Sequence, residues 1–188
     1  MGRGDLSPAK APIPGGWSAT MRPMIASTEQ QRQAGLQALR LDRLFETAFD
    51  DLTRLAAETF GVPMSTISIV DGERQWFKSK VGLDVDETPR AWAFCAQAIL
   101  NPDSFLVVED AAEDERFAGN PLVTGVPAVR FYAAAPLKLS SGHAIGALCV
   151  MDTRPHRAVE REKLEQLRFM AAQVVATLEA RQAARAAA

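Results

Sequence analysis

The sequence predicts an α+β fold, an antiparallel sheet with its helices set apart from it, and three observations carry that prediction. Short apolar and β-branched runs come in two pairs, one joined across Asp71-Gly72 and the other across Ser140-Ser141-Gly142. Turn-forming centres of this kind make antiparallel hairpins. Helical periodicity is confined to the two ends and a short middle segment, so the elements run helix, two strands, helix, strand, loop, two strands, helix.

Each element has a local cause. Residues 1–27 are rich in Gly, Pro, Ala and Ser without periodicity and read as a disordered tail, in which the Arg3-Gly4-Asp5 triplet is read as chance. From Thr28 the pattern changes. Leu41, Leu44, Phe45, Ala48, Phe49, Leu52, Leu55 and Ala56 recur at helical spacing, which predicts one face of a long helix ended by Gly61 and Pro63. Ser65 to Val70 and Gln75 to Val81 form the first hairpin. Thr88 before Pro89 predicts a helix start with a hydroxyl cap, continuing from Ala91 to Leu100. Phe105 to Glu109 is a strand, and Asp110 to Pro127 a long connection holding a short helix. Val129 to Leu139 and Ala144 to Met151 make the second hairpin. In the closing helix, Val159 to about Arg185, the positions Leu164, Leu167, Ala171, Val174 and Leu178 form a narrow apolar seam. The domain is therefore expected over residues 28–186.

Composition narrows the function classes. The chain has 188 residues, 47% of them hydrophobic, with 21 basic against 23 acidic side chains and a net charge of −2. That supplies one core without disulfides and lacks the electrostatic footprint of a nucleic-acid binder. No run reaches the ~20 apolar residues of a membrane span, and Pro8, Pro12, Pro14, Gly15 and Gly16 interrupt any secretory signal. The expectation is a reduced, cytoplasmic module with no nucleic-acid or membrane partner. Two cysteines and two histidines cannot make a Cys/His zinc cluster unless carboxylates or a second subunit contribute. No cofactor or metal is expected.

Signatures of catalysis are absent: no phosphate-binding glycine loop, no nucleophile elbow and no helical histidine pair. His143 in a hairpin turn and His156 after Pro155 read as surface residues. Cys95, two turns into its predicted helix among apolar neighbours, and Cys149, in the alternation Ile145, Ala147, Cys149, Met151, both read as structural buried thiols. Asp110 stands apart in the acidic cluster Glu109 to Glu115, because it closes a strand and opens the long loop, where it caps a turn or reaches a ligand. The aromatics Trp76, Phe94, Phe117, Phe131 and Tyr132 lie near strand ends, the middle helix or the loop. Core packing explains most of them; a sharper reading has the loop and the middle helix enclosing a small-molecule cavity, with Ala133, Ala134 and Ala135 leaving room or letting a helix pack closely.

Taken together, the segments "FDDLTRLAAETFGVP", "SIVDGERQWFKSKVGLDVDETPR", "FCAQAI", "VVEDAAEDERFAGNPLV" and "VRFYAAAPLKLSSGHAIGALCVMDTRP" with the closing helix resemble a GAF domain, a sensory module related in fold to PAS domains, over about Leu41 to Arg181. The resemblance implies a six-stranded antiparallel sheet, the five strands read here plus a short one. It places the N- and C-terminal helices on one face and a ligand pocket under a helix and loop on the other. It also implies small-molecule sensing, with terminal helices that form a homodimer and lead to an output domain. No output segment precedes Ala188, which leaves action through a separate output protein or a piece of a longer chain.

Departures from the family narrow the ligand. There is no Asn-Lys pair of the cyclic-nucleotide type, neither cysteine has the histidine partner of bilin-binding relatives, and neither histidine sits in a pocket segment as a haem ligand would. The candidate ligand-binding residues are Trp76, Phe94, Cys95, Asp110, Phe117, Phe131 and Tyr132. Two alternatives stand beside sensing: a thiol-dependent enzyme like the free methionine-(R)-sulfoxide reductases, whose cysteine spacing differs, and a dimerisation module with a solid core and no ligand.

Overall fold

The computed structural model describes residues 21–42 and 46–188, with side chains from residue 28 onward. Its helices are α1 (Met21–Ala38), α2 (Thr47–Phe60), α3 (Cys95–Ala98), α4 (Pro121–Thr124) and α5 (Arg161–Ala186). Its strands are β1 (Met64–Asp71), β2 (Arg74–Val81), β3 (Glu87–Pro89), β4 (Leu106–Val108), β5 (Phe131–Lys138) and β6 (Ala144–Asp152). They form one six-stranded sheet in the order β3-β2-β1-β6-β5-β4, every neighbouring pair antiparallel. The α+β class and both predicted hairpins are present.

Two elements differ from the sequence reading. The first long helix is two helices. α1 begins within the stretch read as a tail, and residues 1–20, with the Arg3-Gly4-Asp5 triplet, lie outside the described residues. The chain then turns at Arg40, whose φ is 48°. Lys78 holds the connection down, its Nζ donating to the Asp42 carbonyl at 3.0 Å and its carboxylate at 2.9 Å, with Glu46 at 2.8 Å. Of the periodic positions, Ala48, Phe49, Leu52, Leu55 and Ala56 belong to α2 and Leu41 to the connection, so the period marks α2 alone. Leu44 and Phe45 lie outside the described residues, and Leu55 is exposed. Gly61 ends α2 as predicted, in the left-handed region at φ 68°, its N–H and that of Val62 satisfying carbonyls of the last turn at 3.1 Å.

The second difference lies at Thr88-Pro89, which is not a helix start but the body of β3, the sixth strand. The Thr88 hydroxyl accepts from Gln75 Nε2 at 3.1 Å, so it is engaged across the strand pair instead of capping a helix. Proline is tolerated there because β3 is an edge strand. A single 3₁₀ turn, Arg90–Trp92, follows, and α3 starts only at Cys95. Cys95 therefore opens its helix instead of lying two turns inside it.

Strand alternation divides the core. Ile67, Ile69, Trp76, Phe131, Ala133 and Leu148 pack beneath α1, α2 and α5. Val70, Tyr132, Ala134, Ala147 and Cys149 face α3 and the long connection. A bulge in β2 opposite Ile67/Ser68 turns both Lys78 and Ser79 toward α2. Ala133 and Ala135 let α5 lie close to the sheet, which resolves the alanine run as packing instead of pocket space. The α5 seam is spent the same way: Leu167, Ala171, Val174 and Leu178 are all buried in that core.

Candidate functional site

On the sheet face away from the terminal helices lies a cavity of about 290 Å³. Thr66, Tyr132, Cys149 and Met151, from three central strands, form its floor. One wall is the β2–β3 hairpin with Gln75, Phe77 and Thr88, continued by the connection Gly82–Val85. Trp92 and Phe94, on either side of the short turn into α3, face Leu122 of α4 and Val126, Pro127 and Val129 from the connection between α4 and β5.

Local chemistry fixes these walls. Gly82 turns the chain out of β2 at φ 73°, and a Cβ there would lie 2.1 Å from the Pro63 carbonyl, so only glycine fits this close approach. Asn120 ties two walls together: its Nδ2 donates to the Trp92 carbonyl at 2.9 Å while its Oδ1 accepts from Leu122 N–H at 2.9 Å, capping α4. Phe94 stacks on Phe117 with ring centres 4.1 Å apart and leans on Tyr132 at 4.9 Å.

The polar groups of the floor are largely committed to one another. The Cys149 thiol and Thr66 hydroxyl are 2.9 Å apart, and the Cys95 thiol donates to Gln75 Oε1. Tyr132 is the exception. Its hydroxyl, in a residue 2% exposed, is a buried side-chain polar atom that completes no well-formed hydrogen bond among the described residues, with only the Cys149 thiol, a weak partner already engaged with Thr66, beside it. A buried hydroxyl left unpaired costs about 1–3 kcal/mol, which a ligand atom can offset. Burial pushes the Tyr132 hydroxyl well up from its ordinary value, so it stays a neutral hydroxyl able to donate or accept. Burial likewise pushes both thiols up, Cys95 further raised by the nearby Cys149 and Cys149 partly offset by Thr66, Ser68 and Tyr132.

Of the seven residues singled out from sequence, Phe94 and Tyr132 border this cavity. Cys95 and Phe117 are buried directly behind its lining, in the same cluster. Trp76 and Phe131 lie on the opposite sheet face, in the core beneath the helices, because each is one residue out of step with a cavity-facing neighbour, Gln75 or Phe77 and Tyr132. Asp110 accepts two bonds from Arg130, at 2.6 and 2.5 Å, and caps Ala112 at 3.1 Å. Hydrogen bonding by Arg130 lowers the carboxyl below its ordinary value, and both functions are structural. His156, read as a surface residue, pairs with Asp152 at 2.7 Å and stacks on Phe131 at 4.4 Å. The sequence reading did not single out Trp92, Phe77, Leu83, Val85 or Val126. The available signal was apolar residues in connections, Leu83 and Val85 between Gly82 and Asp86, and Val126 between Gly125 and Pro127.

These features, a six-stranded antiparallel sheet with terminal helices on one face and a roofed cavity on the other, define the class of α+β module to which the chain belongs. The family model for the GAF domain matches residues 45–178, and the chain belongs to that family, which is sensory and regulatory. The chain is 39% identical over 157 residues to a cyclic di-GMP phosphodiesterase of Pseudomonas aeruginosa; the match covers 83% of this chain and 27% of that protein. Among solved structures, the GAF domain of an Acinetobacter phosphoenolpyruvate-protein phosphotransferase is similar with a TM-score of 0.61 at 17% identity, covering 85% of this chain and 95% of that one. Free methionine-R-sulfoxide reductase from Neisseria meningitidis, solved with its substrate, gives 0.59 at 18% identity, covering 89% and 96%. At these identities the solved structures establish the fold. No helix among the described residues is long and apolar enough to cross a membrane.

Proposed function

We propose that this GAF domain is a cytoplasmic regulatory module that binds a small molecule in the cavity above Tyr132 and passes its occupancy to the terminal helices of a homodimer. The observation that carries this reading is the unpartnered Tyr132 hydroxyl on the floor of an apolar-walled cavity. A solid core would have favoured the dimerisation module without ligand. Occupancy has a physical route outward, because Trp92 shares its 3₁₀ turn with Arg90, which pairs with Glu29 of α1 at 2.7 Å. A ligand shifts that route only by as much as it prefers one arrangement of the turn.

The reductase reading needs a thiolate nucleophile, and burial holds Cys95 and Cys149 as neutral thiols, which favours sensing over thiol catalysis. The match to the phosphodiesterase supports a regulatory role for this part of such a protein, with catalysis in another segment or a separate output protein. Native mass spectrometry and thermal-shift screening of the purified protein test the ligand reading. Co-purified or stabilising small molecules lost on Val85→Trp, which blocks the mouth, support it; stabilisation unchanged by that substitution contradicts it.

A further inference from the structure

We infer that the cavity selects a neutral or cationic aromatic molecule and rejects phosphate- and carboxylate-bearing metabolites, an inference that rests on the ligand reading above. The charged side chains bordering the cavity, Asp84 and Glu87, are both acidic, Glu87 being paired with Arg74 at 3.4 Å and Asp84 exposed at the rim. Nearby cations are turned elsewhere: Lys80 pairs with Asp86 at 2.8 Å and donates to the Val85 carbonyl, and Arg90 is held by Glu29 and the Gly72 carbonyl. Anion sites depend on guanidinium, ammonium or free backbone N–H groups. An anion entering here passes an acidic mouth and loses its hydration in an apolar chamber without a counter-charge.

The interior suits a flat body. Phe77, Trp92, Phe94 and Tyr132 present rings to a space of about 290 Å³, near the lower end of the ~300–1,000 Å³ range of small-molecule pockets. That size fits a mono- or bicyclic ring system. Gln75 is occupied at both ends, by Thr88 and Cys95, and Cys149 is engaged with Thr66. Tyr132 is thus the hydrogen-bonding handle for the ring's polar atom, while a positive group on the ring gains from Asp84 and the aromatic faces.

Calorimetry with indole, tryptamine and indole-3-acetate, one ring system with three charges, tests this directly, with cyclic di-GMP as a phosphodiester probe. Tryptamine and indole are expected to bind at least about tenfold more tightly than indole-3-acetate, with cyclic di-GMP unbound. Asp84→Asn, at an exposed position, should remove the advantage of tryptamine over indole, and Tyr132→Phe, which removes the oxygen that accepts from the indole N–H, should weaken indole about fivefold. Equal or tighter binding of indole-3-acetate, or binding of cyclic di-GMP abolished by Val85→Trp, overturns the selectivity. A thermal-shift fragment set of mixed charge separates the two levels. Neutral or cationic aromatic hits lost in Val85→Trp support the inference. Anionic hits lost in that variant overturn it while leaving the ligand reading intact, and no hit of any charge removes both.

Discussion

Arg90 donates through Nη1 to Glu29 Oε1 at 2.7 Å, joining the turn that carries Trp92 over the cavity to α1 on the other side of the sheet. Glu29 also receives Arg32 at 2.7 and 2.8 Å, and Arg32, almost wholly buried, donates onward to the Val70 carbonyl at 2.7 Å. One carboxylate thus fastens α1 to the end of β1 and to the cavity roof at once. Such a partly exposed ion pair contributes about 1 kcal/mol or less to stability, so its interest lies in position.

The same carboxylate makes the helix layer acid-sensitive. Burial alone would raise the Glu29 and Glu46 carboxyls, but hydrogen bonds from Arg32 and Arg90 to the first, and from Lys78 and Arg181 to the second, hold both below the ordinary glutamate value of 4.5. A depressed carboxyl adds stability that is present above 4.5 and is lost as pH falls toward the folded-state value. Urea unfolding is therefore expected to show stability falling steadily below that pH, and falling less in the Glu29→Gln/Glu46→Gln double variant. An identical acid slope in the two proteins would contradict the assignment.

Cys95 and Cys149 should resist thiol reagents in the folded protein. Both are buried and held above the ordinary thiol value by desolvation, so neither presents a thiolate. Maleimide labelling followed by mass spectrometry at about pH 8 is expected to modify them only once denaturant unfolds the domain. Fast modification of the native protein would revive the thiol-enzyme reading.

Dimerisation, if it uses α5, must use the outer face, because the inner seam is consumed by the domain's own core. Phe169 stands on that outer face at 65% exposure. Light scattering is expected to give a dimer for the native chain and a monomer for Phe169→Glu, with the melting temperature of the monomeric domain little changed. A dimer that survives the substitution places the interface elsewhere.

Much of this was legible in the sequence. Asp71-Gly72 and Ser140-Ser141-Gly142 announced both hairpins, and Gly61 announced the end of α2, because turn and cap chemistry is local. What escaped depended on long-range partners. Thr88-Pro89 has the local grammar of a helix start, but Gln75 engages that hydroxyl from β2. The break between α1 and α2 depends on Lys78, which the β2 bulge aims at Asp42 and Glu46. The placement of Trp76 and Phe131 was within reach, since adjacent strand residues such as Phe131 and Tyr132 face opposite sides of a sheet. Tyr132 was found as an aromatic; that its hydroxyl is unpartnered follows only from the packing of Phe94, Cys149 and Thr66 around it.

Amide hydrogen exchange of the native protein and Arg90→Gln, each with and without saturating indole, tests the central claim, that cavity occupancy reaches the terminal helices through the Arg90–Glu29 pair. Indole is expected to slow exchange in residues 82–92 of both proteins but to alter α1 only where Arg90 is present. Changes confined to the cavity walls in both proteins, or an α1 response that persists in Arg90→Gln, would contradict it.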